Sequence, residues 1–260
     1  MKNKTKISVI LCVYNAQDYI EECLLSLKEQ NEKNFEVIII NDGSNDNSEN
    51  IIFECVNNYN LDAKYIYQEN IGLTKSLNKA IDLCSGEYIA RMDADDISLP
   101  DRFNDSLKFL KENDLDILTT KSERFSESGE VSFIPSINNN KISFGKNYLK
   151  FGNPFIHGTF FGKREVFESL KYNEDFRTAQ DFDFLCRVVF SSYKLGYLNK
   201  VLYKLRIDNQ SSGRKPSSNQ SKNAISIVRK HFGTDKFLLI KYKGVVRALL
   251  VLFKRMKYEW

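Results

Sequence analysis

A chain of 260 residues can hold one large domain or two small ones, and its 42% hydrophobic and 28% charged residues exclude an intrinsically disordered polymer. The five cysteines (Cys12, Cys23, Cys55, Cys84, Cys186) are odd in number, scattered and without a CxxC pair. They read as reduced core residues of a cytoplasmic protein, which excludes a disulfide frame or a zinc site. The net charge of +4 hides an asymmetry, because residues 214–260 carry twelve Lys/Arg against two acids while residues 1–213 carry 26 against 32. No apolar run is long enough to span a bilayer. The basic N-terminus is followed by a short apolar run that leads into Tyr14-Asn15, so no signal peptide is expected.

In chain order, residues 7–13 form a near-continuous apolar run, the pattern of a strand buried on both faces in a parallel sheet. Ile20, Cys23, Leu24 and Leu27 fall at helical spacing. Residues 35–40 are a second buried strand ending in Asn41-Asp42-Gly43-Ser44, and Asp46 or Ser48 is expected to cap the next helix. Residues 63–67 read as a third strand. After Asn70-Ile71-Gly72 a helix carries Leu73, Leu77, Ala80, Ile81 and Cys84 on one side. Ser85-Gly86 interrupts, and Glu87-Tyr88-Ile89-Ala90 forms a fourth strand delivering Arg91-Met92-Asp93-Ala94-Asp95-Asp96.

Strand and helix thus alternate four times in about a hundred residues, which argues for an open parallel α/β sheet binding ligands beyond the carboxyl ends of its strands. Three polar clusters fall at those ends: Tyr14-Asn15, Asp42-Gly43-Ser44 and Asp93-Ala94-Asp95-Asp96. Carboxylates packed this closely repel, and they stay ionised together only beside a cation or in a solvated loop. Hard oxygen ligands suit magnesium or manganese, which can hold a diphosphate. The alternative is a solvated Asp-rich turn ahead of the helix that Pro100 starts. No G-x-G-x-x-G or Walker lysine loop follows the first strand.

The second half is less regular. Residues 100–110 read as a helix, and residues 115–120 and 131–134 as strands. Asn153 to Phe161 is apolar but broken by Pro154, His157 and Gly158, and His157 is open to a structural or a site role. Asp181 and Asp183 stand in the first turn of a helix. They suit either the helix dipole or a general base facing the site. Residues 195–207 alternate as one or two short strands, residues 208–220 read as a polar loop or linker, and Ile225, Ile227 and Val228 suggest a helix. In residues 236–257, Lys236, Lys243, Arg247 and Lys254 share one helical face and Leu238, Val245, Leu249, Leu252 and Met256 another. Such a basic amphipathic helix can lie in a membrane interface or pack on protein, and its charge favours an anionic membrane surface.

The ordered set Ser8-Val9-Ile10, Tyr14-Asn15, residues 36–44, Asn70-Ile71-Gly72 with Leu77-Asn78, residues 86–96 and Gln180-Asp181-Phe182-Asp183 with Arg187 resembles the family 2 glycosyltransferases, over residues 6 to about 207. The resemblance implies a GT-A fold in residues 1–207, with a mostly parallel nucleotide-binding sheet flanked by helices. Residues 208–260 would then be a loop and a basic helical extension. In the family's pattern the Tyr14-Asn15 region and Asp42 hold the base, usually uracil. Asp93, with Ala94 beside it, binds the ribose or assists the metal, and Asp95 binds the Mn2+ or Mg2+ that bridges the donor diphosphate. Asp181 is the general base in that pattern, and a single displacement inverts the anomeric carbon.

Three positions depart from the pattern. Gln180 stands where Glu is common. Leu77 stands where Arg is common, leaving Lys75 or Arg91 to face the phosphates. Ile207-Asp208 stands where His follows, leaving His157 and Asp208 as candidates for the metal or acceptor side. The resulting expectation is an inverting hexosyltransferase that moves glucose or galactose from a UDP-sugar to a polyprenyl-diphosphate-linked sugar in surface-polysaccharide assembly. It would sit peripherally at the inner face of the membrane and bind no nucleic acid. Two other classes compete. A nucleotidyltransferase would want a Gly-rich basic loop where Val13-Tyr14-Asn15-Ala16 stands. A non-catalytic module could bind through the basic tail, but that tail's apolar face favours lipid.

Overall fold

The computed structural model describes residues 7–126, 129–150, 152–207 and 218–233. Its first half alternates strand and helix: β1 (Ile7–Val13), α1 (Ile20–Lys28), β2 (Phe35–Asp42), α2 (Ser48–Tyr59), β3 (Ala63–Gln68), α3 (Leu73–Leu83) and β4 (Tyr88–Asp93). The second half holds β5 (Ile97–Ser98), α4 (Arg102–Glu112), β6 (Ile117–Phe125), β7 (Val131–Ile134), α5 (Lys146–Leu149) and a single 3-10 turn (His157–Thr159). It continues through β8 (Phe161–Lys163), α6 (Arg164–Leu170), α7 (Gln180–Phe190), β9 (Leu195–Arg206) and α8 (Ser218–Phe232).

One sheet runs in the order β3-β2-β1-β4-β8-β6-β9-β5, with β7 beside β6. The strands β1 to β4 are mutually parallel, and β8 joins β4 and β6 antiparallel, so the sheet is parallel on its first half and mixed on its second. The period-two pattern of β1 explains the three layers. Val9, Leu11 and Val13 pack toward α1, α2 and α4, while Ile10 packs toward α3 and α7. Register places Cys12 beside Asp93 and Val13 beside Asn41, which lines the polar tips up on one edge.

Several boundaries move from their sequence expectation. β4 runs three residues beyond Ala90, because Arg91 is 2% exposed and belongs to the buried strand. α4 begins at Arg102, after Pro100. β9 is one strand of twelve residues. α8 starts inside the expected loop and packs on α7, with Ile227 and Val228 buried in the same core as β1. The cap of α2 is Asn47, without a side-chain cap bond. Asp46 and Ser48 hold the loop after β1, accepting from Gln17 N (3.0 Å) and Ala16 N (2.9 Å), and Asp46 also accepts from Ser48 N (3.0 Å) at the start of α2. Leu73, expected on the buried face of α3, is 36% exposed at the helix start. Asp208 and the helix expected over residues 236–257 lie outside the described residues. Among the described residues no helix is long and apolar enough to cross a membrane. All five cysteines are free, four of them buried.

Candidate active site

The first wall of the site forms where β1, β2 and α3 meet. Asn15 takes a left-handed conformation (φ 48°). Its amide donates to Ser44 Oγ (3.0 Å), and its side chain accepts from Asn45 N (2.9 Å). Tyr14 is 52% exposed beside it. The carboxylate of Asp42 is buried and accepts from Gln68 Nε2 (2.7 Å), Ile71 N (3.0 Å) and Gly72 N (2.9 Å). Gly43 permits this closure, since it sits at φ 77° and an added Cβ would lie 2.8 Å from Asn70 N. A cavity of about 240 Å³ results, lined by Cys12, Val13, Tyr14, Asp42, Asn70, Gly72 and Leu73. Lys75 is exposed on the first turn of α3, two residues from that lining.

The second wall is the acid cluster. Asp93, Asp95 and Asp96 each offer a carboxylate oxygen, all within 4.8 Å of one another. Three hard oxygen donors of this kind fit a magnesium or manganese ion. They divide by burial. Asp96 is 1% exposed, and it accepts from the Tyr203 hydroxyl (2.8 Å) on one oxygen and from Arg206 N (3.0 Å) on the other. Asp93 and Asp95 are partly exposed. β9 fixes their turn: the Tyr203 hydroxyl accepts from Asp93 N (3.2 Å), and Arg206 donates to the Asp95 carbonyl (3.1 Å) while pairing with Glu22.

Behind the acids lie two buried arginines. Arg91, expected as a phosphate-facing cation, is instead internal and pairs with Asp93. The reason is its position inside a strand covered on both faces. Arg102 donates to the carbonyls of Arg91 (2.6 Å) and Gly158 (2.7 Å) and stacks over Tyr203 at 4.9 Å, and burial lowers its pKa to about 10. Gly158 must lack a side chain here, because an added Cβ would meet Tyr203 Oη at 2.2 Å. Gly158→Ala should therefore displace Tyr203 and cost about 1–3 kcal/mol in urea unfolding, and an unchanged midpoint would refute this account of the packing.

The third wall brings Asp181, in the first turn of α7, where Oδ2 accepts from Asn153 Nδ2 (2.6 Å). Burial raises its pKa, against the Asn153 bond, the Phe182 amide and the charge of Arg91. Asp183, two residues on, points away and is fully buried against Arg187 Nε (2.7 Å) and His231 Nε2 (3.1 Å). The two first-turn acids therefore have different surroundings, one at the site and one tying α7 to α8. The approach to Asp181 is braced by α3, since Asn78 bonds both the N–H and the C=O of Tyr172 (2.7 and 2.9 Å) and Thr74 donates to the Phe176 carbonyl (2.8 Å). From α8, Asn223 donates to the Thr178 carbonyl (3.1 Å). His157 does not join the acids. Its Nε2 meets the Tyr172 hydroxyl (2.8 Å), and burial with the charge of Arg91 pushes its pKa well below normal, so the ring is neutral.

Residues 8–171 match the family described as Glycosyl transferase family 2. An uncharacterized glycosyltransferase of Methanocaldococcus jannaschii is 32% identical over 216 residues, which is 80% of this chain and 73% of that protein. The chain is a family 2 glycosyltransferase. Its structure resembles residues 1–349 of TarS from Staphylococcus aureus, solved with UDP-GlcNAc (TM-score 0.73, 21% identity, 87% of this chain and 66% of that one). It also resembles a mannosyltransferase of Pyrobaculum calidifontis, PcManGT, solved with GDP-Man and Mn2+ (TM-score 0.62, 18% identity, 81% of this chain and 59% of that one). These likenesses establish the GT-A fold. Family membership decides for a glycosyltransferase over the nucleotidyltransferase and the non-catalytic module.

In this glycosyltransferase the structure gathers Tyr14, Asn15 and Asp42 on one wall, Asp93, Ala94 and Asp95 on the next, and Asp181 on the third. Lys75 stands at the rim and His157 beneath. Sequence reasoning gave no role to Asn153, Tyr172, Tyr203 or Arg102. Nothing local marks them, because each acts on a residue far away in the chain.

Proposed function

We propose that this glycosyltransferase is an inverting, metal-dependent enzyme that moves glucose or galactose from a UDP-sugar to a lipid-linked sugar such as a polyprenyl-diphosphate N-acetylglucosamine. The observation that carries the reading is that buried Arg91 pairs with Asp93 while its charge also bears on His157, Tyr172 and Asp181. This supports a single site made of the acid cluster and the candidate base.

Tyr14, Asn15 and Asp42 hold the uracil, the exposed ring of Tyr14 giving it an apolar face. Asp93 and Asp95 would hold Mg2+ or Mn2+. When bound, the ion neutralises the charge that develops on the departing nucleoside diphosphate. Lys75, at the start of α3, adds a cation on the phosphate side. Asp181 accepts the proton of the acceptor hydroxyl as that oxygen bonds to the anomeric carbon and the bond to the diphosphate breaks. Attack from the face opposite the leaving group converts an α-linked donor to a β-linked product. The bound molecules of the two fold neighbours, UDP-GlcNAc and GDP-Man with Mn2+, support a nucleotide-sugar donor and a divalent ion. Surface-polysaccharide assembly at the inner membrane face is the setting that such an acceptor implies.

The direct test is the melting temperature in a panel of nucleotides with and without Mn2+. A ligand of the folded state alone adds about 2.7 kcal/mol at a hundred times its Kd. UDP with Mn2+ should raise the melting temperature most. A larger response to GDP or dTDP would overturn the choice of donor, and no response to any nucleotide would overturn the assignment of the donor site.

A further inference from the structure

Outside the site, one surface combines exposed apolar side chains with an excess of basic over acidic residues. The segment Lys141-Ile142-Ser143-Phe144-Gly145-Lys146-Asn147-Tyr148-Leu149-Lys150 contains three lysines and no acid. Phe144 and Leu149 are buried and anchor it, which leaves Ile142 (60%) and Tyr148 (46%) turned outward. The Phe144 ring lies 4.7 Å from Tyr148, and Lys146 Nζ stands 4.3 Å over the ring of Phe190, itself 37% exposed at the end of α7. Phe190 in turn touches Phe232 at 5.2 Å and His231 at 5.6 Å, at the end of α8. The last turn of α8 carries Arg229 and Lys230, the latter 4.0 Å from Asp183 of α7, and α8 itself contains no acid. Large aromatic and aliphatic groups interleaved with lysines are the composition of a bilayer interface, where the rings enter the headgroup layer and the ammonium groups meet phosphates.

The same segment leads directly to the candidate base. Phe144 packs on Phe155 at 5.0 Å, Phe155 N donates to Asn153 Oδ1 (2.9 Å), and Asn153 holds Asp181 (2.6 Å). We propose that the surface formed by the segment 141–150, the end of α7 and the end of α8 seats on an anionic lipid bilayer, so that Asp181 is approached from the membrane side. This rests on the reading of the acceptor as lipid-linked. The chain beyond α8 argues for lipid over self-coverage. Residues 234–260 carry seven Lys/Arg against two acids, so they repel a basic patch, whereas an anionic surface attracts both.

The test uses the full chain with Trp260→Phe, which removes the native indole, and places a probe by Tyr148→Trp. Vesicles of phosphatidylglycerol and phosphatidylcholine with brominated acyl chains should quench that probe, and pure phosphatidylcholine vesicles should not. A second probe, Phe53→Trp on the 44% exposed site of α2, should stay unquenched. Lys146→Glu with Tyr148→Glu should lower vesicle partitioning by about tenfold. Equal quenching at 148 and 53, or none, overturns the proposal. So does a position-148 probe that acrylamide cannot reach in lipid-free protein, because the chain itself would then cover the patch. The melting shift with UDP and Mn2+ reads the donor site separately, so quenching at 148 supports this surface whether or not UDP binds.

Discussion

Asp181→Asn should lose sugar transfer while keeping donor binding. A positioned general base contributes about 10²- to 10⁴-fold, and the amide cannot accept the acceptor's proton, so the loss falls on kcat. Calorimetry of UDP with Mn2+ should give the wild-type affinity, because Asp181 is held by Asn153, away from the nucleotide wall. Full turnover by this variant would remove Asp181 as the base. Burial raises its pKa above the ordinary 3.8, so the acid limb of the kcat profile should sit above the range of a solvated aspartate. The same shift has a consequence for stability. A carboxyl whose pKa is raised on folding stabilises the fold only while protonated, and that stability is lost as pH rises through the folded value. Ionised Asp181 is therefore a cost to the fold at neutral pH. Asp181→Asn removes the charge yet still accepts from Asn153, so its melting temperature at pH 7 should equal or exceed the wild type's, with the gap closing in acid.

Asp95→Ala should abolish the metal-dependent part of donor binding. Outer-shell partners of a metal are worth about 10- to 100-fold in affinity, so loss of a direct ligand should exceed that. Melting shifts should show UDP acting the same with and without Mn2+ in this variant. Unchanged affinity in calorimetry would refute the assignment. The apo fold should hold, since the change thins a cluster of three like charges. Asp96→Asn makes the contrast: both oxygens of Asp96 are committed to β9, and the amide can accept on only one. It should destabilise the apo protein by about 1–3 kcal/mol.

The neighbouring acids Asp95 and Asp96 show how far the sequence carries. As three aspartates at a strand end they are alike, and the motif points to a cation or a solvated turn. What separates them is Tyr203, whose hydroxyl donates to the Asp96 carboxylate across 107 residues of chain. Likewise Asp181 and Asp183 are equal candidates by spacing, and only the docking of α8 through His231 turns Asp183 into a structural group. Arg91 looks like a cation available to phosphate until β1 and the 3-10 turn enclose it.

The sequence by itself determined the strand–helix alternation, the edge on which the polar clusters gather, the ordered motifs of a family 2 glycosyltransferase and the segments that are apolar or basic. Those features rest on periods of two and 3.6 residues and on local composition, which the chain carries without reference to distant parts. Only the tertiary structure decided which charges face the cavity, which are buried as counter-ions, and where an exposed apolar surface joins the candidate base. A charge's solvation and its partners depend on the elements that pack over it, and in this fold those elements come from β9, α7 and α8, far along the chain from β1 and β4.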